Sequence, residues 1–278
     1  MKSKYKTITM KKTLTIICLL FFCSIIHSQT DTLQVKLDSI IKEANLLYSY
    51  EKATWSATDL AYEDERINTN IGAYIVHHSN DSIFVTFADK EYKTQTAQYS
   101  YNLNNLRVPA KQDFEPKPLS EKSSKLFEVR NEILRQLNAD PAKYGLNFQK
   151  DFNPNPVLVS ANGSYRLYLI IGTAVPDVIP FGNDYLFNAD ENGKITDWKI
   201  FHKTLIASQV KGPEGQQVIS VVHSHLKMTP YISATDICTF RLYGADLFGL
   251  EEFAVLSTAL NKYFTYNASQ NKITVTDL

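Results

Sequence analysis

One stretch, from Val218 to Asp236, constrains this chain more than any other. The apolar run Val218, Ile219, Ser220, Val221 and Val222 reads as a buried strand, and residues two apart in a strand share a face. His223 and His225 therefore lie side by side at the strand's end. Pro230 marks a loop, and Ser233 opens a helical pattern whose first turn holds Asp236. Each half has an ordinary explanation: Ser233 and Asp236 have the spacing of a capping box, and His223-Ser224-His225 suits a polar strand edge. Together they bring two imidazoles and a carboxylate to one place. Three protein ligands with a fourth position open is the arrangement of a catalytic zinc site.

The rest of the chain supplies the setting. The N-terminus carries Lys2, Lys4, Lys6, Lys11 and Lys12 and no acid, then an apolar run from Leu14 to Ile26 and His27-Ser28-Gln29. This is the charged n-region and short h-region of a secretory signal, so residues 1–28 are expected to be a signal peptide. The mature chain is then exported, periplasmic or secreted, with no membrane span. Loss of five of the 29 basic residues leaves 24 against 29 acidic ones, a mildly acidic balance that gives no sign of nucleic-acid binding. Only Cys238 of the three cysteines remains, so no internal disulfide is expected and Cys238 reads as a buried thiol. Nothing in the sequence sets an oligomeric state.

The predicted fold class is α+β. Residues 29–108 form a smaller α+β region: an amphipathic helix over Thr32 to Tyr50, then strand-like runs Ile71–His77, Ser82–Phe87 and Thr94–Leu103. Trp55 reads as a packing anchor, and His77 and His78 as solvated imidazoles at a strand end. Residues 109–118, with Pro109, Pro116 and Pro118 among charges, read as a linker. Residues 119–278 then begin with a helix whose apolar face is Leu126, Val129, Ile133, Leu134 and Leu137. Strands follow over Pro156–Ser160, Tyr165–Thr173, Tyr185–Asn188, Ile195–Ala207 and Val218–His225. A helix to about Leu242, a strand Phe253–Ser257 and a last hairpin complete the chain.

His223-Ser224-His225, seven residues, Ser233, two residues and Asp236 resemble the H-[ST]-H-x7-S-x-x-D motif of the JAB/MPN (JAMM) metalloprotease family. The order of elements from Leu119 onward is loosely similar too, and implies a mixed β-sheet flanked by helices. The resemblance implies Zn2+ held by His223, His225 and Asp236, and Ser233 assisting at the oxyanion. It further implies a metal-activated water that cleaves a peptide or isopeptide amide in a peptide or protein substrate. The family also uses an upstream glutamate as general base, and here the chain departs: Tyr165 to Gly172, the comparable strand, has none. Asp184 is the first candidate for that role, Glu191 falls in the tight turn Asp190–Lys194, and His202 is a further acid/base or supporting group, or an imidazole bonded within the sheet. Two functions follow: an exported zinc-dependent hydrolase, or a non-catalytic secreted binding or structural module that has lost the base.

Overall fold

Among the described residues, four sheets and three α-helices give a mixed α+β architecture in which all strand pairs but one are antiparallel. The computed structural model describes residues 32–278 apart from Asn162, Pro213 and the side chain of Ala161; the signal-peptide reading of residues 1–28 lies outside the described residues. No helix among the described residues is long and apolar enough to cross a membrane.

Helix α1 (Ser3–Glu63), described from residue 32 on, continues past the helix expected over Thr32 to Tyr50 and through the aromatic stretch around Trp55. Its buried face includes Leu37, Ala44, Leu47, Ala53, Ala57 and Ala61. The three alanines at four-residue spacing fall on one face and let the helix approach its neighbours closely. Trp55 packs edge-on against Tyr243, ring centroids 5.1 Å apart, as a packing anchor would.

The strands β1 (Ala73–Ser79), β2 (Ser82–Ala88) and β3 (Thr94–Asn102) form an antiparallel sheet. The segment read as a linker adds two short strands to it, β4 (Lys111–Asp113) and β5 (Lys117–Pro118), both paired to β3. Proline fits there because these are edge strands, where a missing donor costs no ladder bond. Helix α2 (Glu121–Ala139) starts on Ser120, whose hydroxyl accepts from the Ser123 amide, and buries Leu126, Val129, Ile133 and Leu137.

Next comes the sheet of β6 (Phe152–Ala161), β7 (Ser164–Thr173), β9 (Tyr185–Ala189) and β10 (Ile195–Ile200), in the order β10-β9-β7-β6. The short strands β8 (Val178–Gly182) and β11 (Leu205–Gln209) pair with each other. The last sheet has the order β12-β13-β14-β15: β12 (Val221–His225), β13 (Glu252–Ser257), β14 (Lys262–Asn267) and β15 (Lys272–Asp277). Helix α3 (Ala234–Thr239) follows β12 and continues as a π-helical turn over Phe240–Ala245.

One hydrophobic core joins α1 and β1–β3 to α3 and the last sheet; a second lies between α2 and the β6–β10 sheet. Residues 32–118 therefore share their core with the C-terminal half. Cys238 is buried and free within it.

Candidate metal centre

Strand β12 alternates buried and exposed residues, and its buried face carries Val221, His223 and His225. Alternation alone aims both imidazoles inward. His223 is held between aromatic rings, its centroid 5.0 Å from Phe181 and 6.2 Å from Phe253. His225 is fixed through its other nitrogen: Nδ1 lies 2.7 Å from the Tyr231 carbonyl in the following loop, which requires Nδ1 to carry the proton and leaves Nε2 free as a ligand.

Helix α3 begins as the capping box expected from the sequence. The Ser233 hydroxyl accepts from the Asp236 amide at 3.0 Å, and Asp236 Oδ2 accepts from the Ser233 amide at 2.8 Å and its hydroxyl at 2.7 Å. The cap that starts the helix thus also pins the carboxylate. Asp236 Oδ1, fully buried, has no hydrogen-bond donor aligned on it and faces the imidazoles.

A fourth side chain completes the group. His202 Nε2 lies 2.7 Å from His225 Nε2 and 3.6 Å from Asp236 Oδ1. His223 Nε2 lies 3.2 Å from His225 Nε2 and 3.3 Å from Asp236 Oδ1, and His225 Nε2 lies 3.3 Å from Asp236 Oδ2. One ligand atom from each of the four residues falls within 4.8 Å of the other three. Four ligands about 2.0–2.1 Å from an ion in a tetrahedron sit about 3.3 Å from one another, which falls inside the observed range. His202, His223, His225 and Asp236 can therefore hold a metal ion, and among the described residues this is the one such group found.

Asp184 stands behind this group rather than facing its centre. Its Oδ1 lies 2.7 Å from His202 Nδ1, and its Oδ2 accepts from the Thr235 hydroxyl. Both carboxylate oxygens are thus occupied, and Asp184 is linked to the centre through His202 on one side and through the Thr235 and Ser233 hydroxyls to Asp236 on the other. The candidate base from the sequence is hydrogen-bonded to His202 and Thr235. Glu191 lies exposed in the β9–β10 turn.

How residues 18 apart come together follows from a kink. Strands β8–β9 and β10–β11 are two arms of one long hairpin, paired outward from the turn at Asp190–Lys194. Near the turn Tyr185 faces Ile200, but past the kink Gly182 faces Leu205, so the second arm carries two extra residues. Gly182 and Asn183 both take left-handed φ, 79° and 52°. A Cβ on Gly182 would lie 2.4 Å from the Thr204 carbonyl oxygen, so only glycine fits. The bulged arm turns His202 inward, beside Asp184. Sequence reasoning left His202 among supporting groups. The register counted outward from the Asp190–Lys194 turn puts Phe201, not His202, opposite Asp184, so only the bulge beyond it explains the inward turn of His202.

Electrostatics favours a cation at the centre. Burial by itself would raise the Asp236 carboxyl, but the charges of His202, His225 and His223 overcome it and hold the carboxyl well below its usual range. Burial would lower His202, yet Asp184 and Asp236 outweigh it and push the imidazole up to about 9. Two carboxylates sealed among three imidazoles demand positive charge, supplied by protons or by a divalent ion.

Comparison with protein-family models, curated proteins and solved structures found no match to this chain.

Proposed function

We propose that the protein is an exported, metal-centred module with a JAB/MPN-like site, in which a divalent ion, zinc by its donor set, is held by His202, His223, His225 and Asp236 and stabilises the fold. The observation that carries this reading is the fourth ligand. With His202 Nε2 among the other three ligand atoms, the set is three nitrogens and one oxygen from the protein alone, the closed form that suits a structural ion. Neutral imidazoles with one carboxylate match zinc better than calcium or magnesium, which prefer oxygen. The supports fit the same purpose: Tyr231 for His225, Asp184 for His202 and Ser233 for Asp236 each orient a ligand by hydrogen bonds.

A zinc-dependent hydrolase acting on a peptide or isopeptide bond is the second reading. A cavity of about 360 Å³ favours it, because Tyr231 and Ser233 line it beside the ligand group. In that reading His223, His225 and Asp236 would hold a zinc ion, and the chemistry it would supply is Lewis-acid polarisation of the scissile carbonyl and a more acidic water. His202, backed by Asp184, would then stand beside the site as its acid/base group, where the family has its glutamate. Substitution of His202 by alanine separates the two. A structural site then loses affinity and stability with no peptidase activity in either protein, whereas a catalytic site shows amide hydrolysis in the wild type that the variant loses.

A further inference from the structure

A second cavity, about 340 Å³, lies among α1, β1, the first turns of α2 and the β6–β7 hairpin, and none of the metal ligands lines it. Its polar wall is basic. Lys122 and Lys125 reach it from α2, and His77 and His78 from β1. The hydroxyl-bearing residues Tyr50, Ser160 and Tyr165 complete that wall, and no carboxylate is among the lining residues. Its apolar side comprises leucine and valine side chains from α1, α2, β1 and β6.

Three features suit an anion. The Lys122 ammonium is positioned by donating to the His78 carbonyl at 3.3 Å, and it forms no ion pair. Lys125 likewise has no ion-pair partner among the described residues, so two neighbouring like charges stand uncompensated at one opening. His77 stacks on Phe84, ring centroids 5.3 Å apart, and its Nδ1 is buried with no hydrogen-bond partner. A buried polar atom without a partner is unfavourable, and a ligand can supply that partner. Burial, joined by Lys122 and His78, holds the His77 imidazole down at about 4. The titratable groups lining the cavity with it are Tyr50, His78, Lys122, Lys125 and Tyr165, none of them a carboxylic acid.

We propose that this cavity binds a small organic oxyanion, a carboxylate or phosphate on an apolar group, with Lys122 and Lys125 at the charge and the His77 ring as a hydrogen-bond partner. The apolar wall would take the rest of the ligand, the usual division of labour in a small-molecule site. An oxyanion favours the charged form of a neighbouring imidazole, so binding should raise the His77 pKa.

The test is a histidine-ring NMR titration of the mature protein with phenyl phosphate, benzoate, inorganic phosphate and neutral benzyl alcohol. The expected result is a saturable His77 shift with phenyl phosphate or benzoate and a rise in its pKa. Binding should weaken at least about tenfold in Lys122→Gln/Lys125→Gln, which removes two charges from a rim that is exposed or half-buried. The variant's metal content should equal that of the wild type. Stronger binding of phenyl phosphate than of benzoate would mark a phosphate site, and the reverse a carboxylate site. No saturable shift with either anion, equal binding of benzyl alcohol, or unchanged affinity in the double variant would overturn the proposal.

Discussion

Two buried carboxylates meet opposite environments in this molecule. Asp236 is enclosed by three imidazoles, which hold it ionised against its burial. Glu51, on α1, is equally enclosed, but what it meets is amide and indole: Asn155 Nδ2 donates to it at 3.3 Å and Trp55 also contributes a hydrogen bond. Burial wins there and pushes the Glu51 carboxyl up to about 7. The contrast shows that enclosure alone does not make an ionic site. Nitrogen donors brought from two separate segments, the hairpin kink and β12, do, and each of those segments carries its own bracing.

The largest expected effect comes from removing that nitrogen set. His223→Ala/His225→Ala should abolish stoichiometric metal binding and lower the stability of metal-loaded protein by about 4 kcal/mol when free metal exceeds the dissociation constant a thousandfold. Thermal unfolding with and without a chelator measures this: the chelator should lower the wild-type midpoint and leave the variant's unchanged. Next in size is Gly182→Ala, which places a Cβ against the Thr204 carbonyl at a φ of 79°. A loss of about 2–3 kcal/mol is expected, read by denaturant unfolding, with weaker metal binding because the kink carries His202. Asp184→Asn keeps the ligands but changes the bracing of His202; metal affinity should fall about 10–100-fold in competition with a chromogenic chelator, with full occupancy regained at excess metal.

The smallest effect tests the other half of the comparison. Because the folded-state pKa of Glu51 lies above its unfolded value, the folded chain binds more protons between about 4.5 and 7. This residue's contribution to stability is therefore lost as pH rises through that window and stays lost above it. Glu51→Gln should leave stability nearly unchanged at pH 4.5 and raise it by about 1–2 kcal/mol at pH 8, as measured by urea unfolding. A variant less stable at pH 8 than the wild type would mean that Glu51 is ionised and paired in the fold, and the contrast with Asp236 would fail.

Much of the centre was legible because it rests on local rules. Period-two alternation in Val221–His225 puts both imidazoles on one face, and the Ser233/Asp236 spacing sets the helix start that aims the carboxylate. The α2 face and most strands were legible for the same reason. His202 was not, since its inward turn depends on a bulge in a long hairpin and on left-handed backbone at Gly182 and Asn183, which no pattern of polarity records. The same holds for β4 and β5: proline and charge between 109 and 118 read as a linker, and only pairing to the edge strand β3 makes them strands. Helix α1 extends to Glu63 because its alanine face is buried against neighbouring elements, a tertiary contact that its aromatic composition hides.

The central claim is that four side chains from the hairpin kink, β12 and α3 enclose one divalent ion. Elemental analysis of the purified protein after exhaustive dialysis tests it most directly. The account predicts about one zinc-class ion per chain in the wild type, retained through dialysis, and a near-complete loss in His223→Ala/His225→Ala. Metal-free wild type that neither retains nor rebinds an ion, or an undiminished ion content in the double variant, would contradict it.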